Sequence, residues 1–355
     1  MRPRVGTILR RNASNAGSER AMTIHIATSS DVALAVRRGM RVAVRSMNDG
    51  LLVGPCAPDL EDHMRLRRDF WADVWPYPPA YVPPFRRVLA DLAAAEPVVV
   101  WTSLKWMDRV ALWAYCAYRL QHHPTQPDLS LIFIGEYGER HARLSFGIVY
   151  VTLEPAMARR AWGTARSLSR REVREKALFW RKLTAPSPIL SGKRLRETPS
   201  RKEFFELGAY QAGLFPRLSE RSLSLSTLDA LLLGCVNKTP SNPARILMRR
   251  GSKGEELRRW LSLTGDIVLF ERLAQWAERG ALHAKSWTAP NGWQTAKYTL
   301  SATGRSLLRD GLSSIDQAPP FPIWGVTAYD PKNPWVVVEE AGGRPHLRRL
   351  GERTR

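Results

Sequence analysis

The polar residues best able to do chemistry stand just after the apolar runs of the N-terminal part. Ser29, Ser30 and Asp31 follow the first run, Asn48 and Asp49 the second, Thr102, Ser103 and Asp108 the third, and Glu136 the fourth. In open α/β sheets ligands bind outside the carboxyl ends of the strands. These positions are therefore candidates to line one crevice for a small polar ligand. Asp49, Asp108 and Glu136 together have the hard oxygen chemistry that holds a magnesium ion against phosphate oxygens. That set defines a competing reading, a metal-dependent phosphoester-processing enzyme. A plainer role competes at each position, since a residue just past a strand is often a helix cap, and Ser30 and Asp31 stand where a cap before VALAV is needed.

Other chemistry lacks its motif. There is no glycine-rich dinucleotide fingerprint, no P-loop and no GxSxG elbow, so no organic cofactor and no hydrolase triad is expected. His122 and His123 precede a proline without a Cys or His at metal spacing and read as solvated. The DLEDH run at 59 to 63 reads as the acidic first turn of a helix. Trp71, Trp101, Trp106, Trp113, Trp162 and Trp180 read as core.

A second group is basic. Arg249, Arg250, Lys253, Arg258 and Arg259, with Lys285, Lys297 and Arg305 further on, are the residues best placed to face an anion such as nucleic acid. The chain of 355 residues holds 54 Lys and Arg against 33 Asp and Glu, a net charge of +21. The excess is uneven: residues 22 to 150 carry +1 and residues 151 to 355 carry +16. An anionic partner should meet the second half. The compositional alternative is that 44 of the 54 are Arg, as a GC-rich coding sequence yields without selection for a partner.

The elements that must position these groups follow from patterning. TIHIAT, VALAVRRG and MRVAVRS read as strand, helix, strand; PVVVWT and LSLIFIGEYG are further buried strands with helical stretches between, and PYPPAYVPPF reads as an extended connection. The result is an α/β layer, Rossmann-like, with a mostly parallel sheet. After Leu153 the pattern reads as basic helices. In the last third, helices at LSTLDALLLGCV, PARILMRR and GDIVLFERLAQWAERGAL precede two strand-like segments around Pro-Asn-Gly-Trp, the order of a winged helix-turn-helix. The third of these helices balances Asp266, Glu271 and Glu278 against Arg272 and Arg279, acidic for a helix meant to lie between phosphates. A final hairpin closes the chain.

The expected organisation is a basic tail over 1 to 21, the Rossmann-like domain over 22 to 152, a basic helical region over 153 to 222, a winged-helix-like domain over 223 to 312, and a C-terminal hairpin and tail over 313 to 355. The tail resembles a transit peptide, and Met22 is an alternative start. No apolar run reaches the ~18 residues of a membrane span. Three scattered cysteines, Cys56, Cys116 and Cys235, fit a reducing cytoplasm rather than a disulfide framework.

IHIATSSD, the NDGLLVGP loop, RRDFW, VVVWTSLKWMDRV and LIFIGEYG, with LFERLAQWAERGAL and YTLSATG later, resemble an uncharacterised bacterial family. Its members begin with a Rossmann-like domain of unknown function, followed by a helical region and a winged-helix-like region. The resemblance implies a fold more than an activity. It places Asp49, Gly54 and Pro55 in an acidic loop ending in glycine-proline, and matches Trp101 and Asp108 to a tryptophan and a final aspartate on the third strand. Ser103 and Lys105 depart from the acidic pattern between those two, and Thr28 to Asp31 replace a glycine-aspartate-serine turn. The reading that emerges is a cytoplasmic, ligand-sensing or regulatory protein associated with nucleic acid, to which a homo-oligomer is open, with the metal enzyme or an interaction module as alternatives.

Overall fold

The structure is a computed structural model that describes residues 23–47, 49, 54–74, 82–103, 105–134, 153–185, 201–219, 222–285, 296–319, 333–338 and 346–351. The N-terminal tail, Glu136, most of the Pro/Ser-rich link before 200 and the Pro-Asn-Gly-Trp segment lie outside these residues.

Short strands build the first sheet, the central ones from apolar residues: β1 (Ile24–Ala27), β2 (Arg45–Ser46), β3 (Val98–Thr102), β4 (Leu129–Phe133) and β5 (Arg166–Ser167). Their order is β2-β1-β3-β4-β5, parallel except for β5. Because side chains alternate along a strand, the sheet has two apolar faces. Ile26, Val98, Val100, Leu129 and Leu131 join one core, while Ala27, Trp101 and Ile132 join the other. Parallel strands need crossovers, and the helices that provide them cover both faces.

On the second face lie α1 (Ser30–Met40) and the short α5 (Pro155–Ala161), which contribute Val32, Ala33, Val36, Ala158 and Ala161. They approach closely because Gly39 has no side chain; a Cβ there would sit 2.4 Å from the carbonyl oxygen of Pro155. Helix α5 begins with Pro155, whose missing N–H costs nothing at a first turn. The first face carries α3 (Val82–Ala93) and α4 (Trp106–His122), with α2 (Leu60–Val74) beside α3 and α6 (Arg170–Leu183) packed along α4. Ser169 and Glu172 close a capping box at the start of α6. Helix α3 begins inside the proline-rich stretch expected to be extended: Pro83 and Pro84 fall in its first turn, where proline is tolerated.

Arg119, near the end of α4, is fully buried and its hydrogen bonds among the described residues go to carbonyls rather than to a carboxylate. Its guanidinium donates to the carbonyls of Pro127 (2.6 Å), Leu92 (2.9 Å), Glu96 (3.1 Å) and Ala94, gathering the end of α3 and the approaches to β3 and β4.

The region after Leu153, expected to be helical throughout, also contributes strands of two residues, too short to leave an alternating pattern. One is β5. The others, β6 (Arg217–Leu218) and β7 (Leu223–Ser224), follow α7 (Arg201–Ala212) and join β10 (Trp335–Val338) and β11 (His346–Arg349) in a second sheet of order β11-β10-β6-β7. The closing hairpin is thus β10–β11, and its neighbour is a segment more than a hundred positions earlier.

Between these strands lie α8 (Thr227–Gly234), α9 (Pro243–Leu247), α10 (Ser252–Thr264) and α11 (Asp266–Glu278), then the antiparallel pair β8 (Leu282–Lys285) and β9 (Lys297–Leu300), then α12 (Ala302–Asp310). Four helices, not three, precede the hairpin. The extra one, α10, was hidden because Gly251 and Gly265, both at positive φ, bracket a mixed run of Glu, Arg and Leu. Asp229 of α8 is buried beneath α11: it receives two hydrogen bonds of 2.7 Å from Arg272, one of 2.7 Å from Trp276 and one of 2.7 Å from Ser226. The buried apolar cluster that starts at Ile26 continues through Trp180 and Leu232 to Leu347. Among the described residues no helix is long and apolar enough to cross a membrane.

The Asp229–Arg272 pair generates a stability prediction. Arg272→Met leaves a buried carboxylate without its cation and should cost about 3–5 kcal/mol, whereas Asp229→Leu combined with Arg272→Met, which removes both charges, should recover much of that loss. Urea unfolding midpoints of the two variants measure the difference.

Candidate functional site

The strand order reverses between β1 and β3, and at this switch point the carboxyl ends of the two strands diverge into separate helices. Thr28 ends β1. Its hydroxyl donates to Asp108 Oδ1 at 2.8 Å, and Ser103, just past β3, donates to Asp108 Oδ2. Asp108 lies in the first turn of α4, where the helix dipole favours a negative charge. It is fully buried, and both its oxygens are occupied by hydroxyls. It is therefore a tie between two strands and a helix rather than an open ligand for a metal.

Around this tie the rim is polar. Ser29 caps α1 and accepts from the N–H of Val32, as the sequence implies for this segment, although the capping residue is Ser29 rather than Ser30 or Asp31. Ser30 and Asp31 are exposed in the first turn. Lys105, which leads into α4, reaches across the crevice to Asp31 at 2.7 Å, so the N-termini of α1 and α4 are bridged at the switch point. Behind them the Tyr115 hydroxyl donates to Ala27 O at 3.0 Å and accepts from Met47 N at 3.3 Å, joining the ends of β1 and β2. Burial raises the Tyr115 pKa, and Asp108 and Asp49 raise it further, so the phenol stays protonated.

Asp49 is held in a separate network. Helix α2 presents His63, Arg67 and Trp71 four residues apart on one face, and all three turn toward this carboxylate. Arg67 binds it with both Nε (3.0 Å to Oδ2) and a terminal nitrogen (2.6 Å to Oδ1), and Trp71 Nε1 donates to Oδ1 at 3.0 Å. Gly54, at φ +82, lets the loop pass over this cluster: a Cβ there would lie 2.7 Å from Arg67 and from the Phe70 ring. His63 Nδ1 accepts from Ala57 N, which puts the proton on Nε2, 3.8 Å from Asp49 Oδ2. Burial is the main reason its pKa falls to about 3, and the charge of Arg67 adds to the fall against the pull of Asp49.

Of the crevice candidates, Ser29, Ser30, Asp31 and Asp108 come together at the switch point. Asp49 and Gly54 belong to the α2 cluster. Trp101 is not at the crevice: it is buried on the sheet face under α5, and its indole donates to His25 Nδ1 at 3.2 Å. Glu136 lies outside the described residues, and among those described no three His, Cys, Asp or Glu side chains are grouped to hold a metal ion. A cavity of about 380 Å³ opens at the opposite end of the sheet, lined by Pro97, Gln126, Asp128, Ser130, Ser167 and Arg170, and shares no residue with the switch point. The chain matches no protein-family model, no curated protein and no solved structure.

The basic candidates divide into two kinds. Arg249 donates to the carbonyls of Gly234 (3.3 Å) and Cys235 (2.8 Å), capping α8, and Arg258 donates to the carbonyl of Arg249 at 2.8 Å. These two hold their own segment together. Arg259 is half-buried, while Arg250 and Lys253 are exposed. Lys285 and Lys297 are exposed and stand directly opposite each other in the register of β8 and β9. Arg305, exposed on α12, touches the end of β9 through Leu300 O.

Sequence reasoning missed His63, Arg67 and Tyr115. The four-residue spacing of His63, Arg67 and Trp71 was the available signal, but only the position of Asp49 shows that this stripe has a carboxylate to face.

The buried histidine gives the acid limb of stability a direction. Unfolded, its imidazole takes up a proton at the ordinary value of 6.5; folded, it does so only at about 3. Its contribution is complete above 6.5 and is lost as pH falls between the two values, by up to about 1.4 kcal/mol per pH unit. His63→Gln, which does not titrate, should unfold with a shallower dependence on pH across this range, as urea denaturation at a series of acid pH values would read.

Proposed function

We propose that the protein is a regulatory protein associated with nucleic acid, in which the basic C-terminal half contacts the polynucleotide and the switch-point crevice takes a small polar ligand. The observation that carries this reading is the Lys285–Lys297 pair. Like charges directly opposite on paired strands oppose hairpin formation, and a polyanion that neutralises both offsets that cost. Arg305, Arg250 and Lys253 add exposed positive charge on the neighbouring segments.

In this reading α8 to α11 with the β8–β9 hairpin serve as a winged helix, and the hairpin rather than the third helix leads the contact. Helix α11 supplies little to a phosphate backbone, because Arg272 is spent on Asp229 and Arg279 on the carbonyl of Asp316. The crevice suits a ligand with a negative group: Lys105 and the N–H groups at the starts of α1 and α4 are its cationic features. Its hydroxyls are held in place by Asp108 before any ligand arrives. The metal-enzyme alternative finds no support in the engagement of Asp49 by Arg67 and of Asp108 by two hydroxyls. Three cysteines, all free and buried, suit the cytoplasm.

Lys297→Glu separates this reading from a purely compositional origin of the charge. It converts a repulsive cross-strand pair into an attractive one, so the melting temperature should hold or rise. Binding of full-length protein to duplex DNA should weaken, with the slope of log K against log salt lowered by about one for the lost contact. Unchanged affinity and slope, or no binding by the wild type at low salt, would sink the reading.

A further inference from the structure

Trp162 is one of four large apolar side chains that stand exposed among the described residues, and it is the only aromatic one of the four. It begins a single 3₁₀ turn directly after α5 and is 42% exposed. Its ring does not hang free. It stacks on the buried Trp101 with centroids 5.7 Å apart and planes 19° from parallel, and the His25 ring lies 5.5 Å away on the same support. Trp101 is itself pinned by the hydrogen bond to His25. An indole seated on a rigid partner has little rotamer freedom left to lose, which makes its outward surface a preorganised platform for another flat group.

The surroundings of that platform are cationic. Arg159 precedes Trp162 by three residues, so both lie on one side of α5. Helix α1 meets α5 at Gly39; at ~100° per residue, Arg38 is the next position round on the α5 side, with Leu34 beyond it, and Arg41 is the left-handed residue that ends the helix. Arg38, Arg41, Arg159 and Arg160 are all exposed, and among the described residues no hydrogen bond or ion pair engages their side chains. Among the described residues the acids on these two helices are Glu154, at the far end of α5, and Asp31, at the other end of α1 and paired with Lys105. A stacking surface beside an excess of arginine is the chemistry that binds unpaired bases and their phosphates.

We propose that the outer side of α1, α5 and Trp162 is a seat for a single-stranded polynucleotide, in which Trp162 stacks an unpaired base while Arg159 and Arg38 hold the adjoining phosphates. The proposal rests on the nucleic-acid reading above and adds to it a second surface, on the helices that cover the first sheet rather than on the β8–β9 hairpin. Duplexes are poor ligands for it, because paired bases present no free face. The sugar takes no part in a stack, so RNA and DNA strands bind alike.

The test uses the full chain and labelled oligouridylate, oligothymidylate and duplex DNA of one length, followed by fluorescence anisotropy at several salt concentrations. Trp162→Ala should weaken both single strands about tenfold, the loss of one base–aromatic stack, and leave the duplex within about twofold. Trp162→Phe, which keeps an aromatic face, should restore most of the affinity. Arg159→Glu with Arg38→Glu should weaken single strands and flatten their salt dependence; because both side chains are exposed, this variant keeps the test valid even where Trp162→Ala lowers the melting temperature. Single-strand binding that is unchanged in all three variants, but lost on charge reversal at the hairpin, overturns the seat and leaves the broader reading intact. Absence of any polynucleotide binding by the wild type overturns both. A dimer in sedimentation that Trp162→Ala converts to monomer also overturns the proposal, by showing that the surface is covered by a second copy of the chain.

Discussion

A carboxylate withdrawn from water must be given donors, and at Asp108 the protein supplies them without a cation: two hydroxyls and the start of a helix. Removing one donor would leave charge buried and unpaired, at a cost larger than an ordinary hydrogen bond is worth. The arrangement consequently fixes three things at once, the end of β1, the end of β3 and the first turn of α4. Everything around the switch point takes its position from that tie, including the Lys105–Asp31 bridge and the Tyr115 hydroxyl that extends the same constraint to β2. The carboxylates of Asp49 and Asp229 follow the same rule with a different donor, a bidentate arginine helped by an indole N–H. Such sites cost much to leave half-satisfied, and they specify register and helix placement more strongly than apolar contacts of the same area.

The parallel sheet was legible because its strands are short apolar runs between amphipathic helices, a pattern that few other architectures produce. Ser226 was legible as a cap for the same local reason: a hydroxyl followed three residues on by an acid ahead of a leucine-rich run. Strands of two residues carry no period, so β5, β6 and β7 gave no signal, and the partner of β6 lies in the C-terminal hairpin. Charge was legible as a balance but not as an allocation. Arg249, Arg258 and Arg272 look alike in sequence to Arg250, yet the first three are consumed by carbonyls or by Asp229, and only the folded arrangement distinguishes them. Asp49 and Asp108, metal ligands only in the alternative reading, do not reveal their roles in sequence for a related reason. Whether a carboxylate meets a cation, a hydroxyl or water depends on residues eighteen or eighty positions away.

Tryptophan illustrates how one residue type divides between roles. Trp101 and Trp180 are buried completely, as their apolar neighbours suggest. Trp162 stands instead in a run of Arg, Ala and Gly, in the 3₁₀ turn that directly follows a helix of only seven residues. There the ring covers Trp101 while keeping one surface in solvent.

The paired lysines of the β8–β9 hairpin also give the protein two opposite responses to ionic strength. Added salt shields Lys285 from Lys297 and eases the closure of the hairpin, while it weakens attraction between the same two ammonium groups and any polyanion. In dilute buffer the segment's own charge opposes closure most strongly and would attract a polyanion most strongly; in concentrated buffer closure is eased and that attraction fades. Over this stretch of chain, hairpin closure and affinity for a polyanion would favour different solvents.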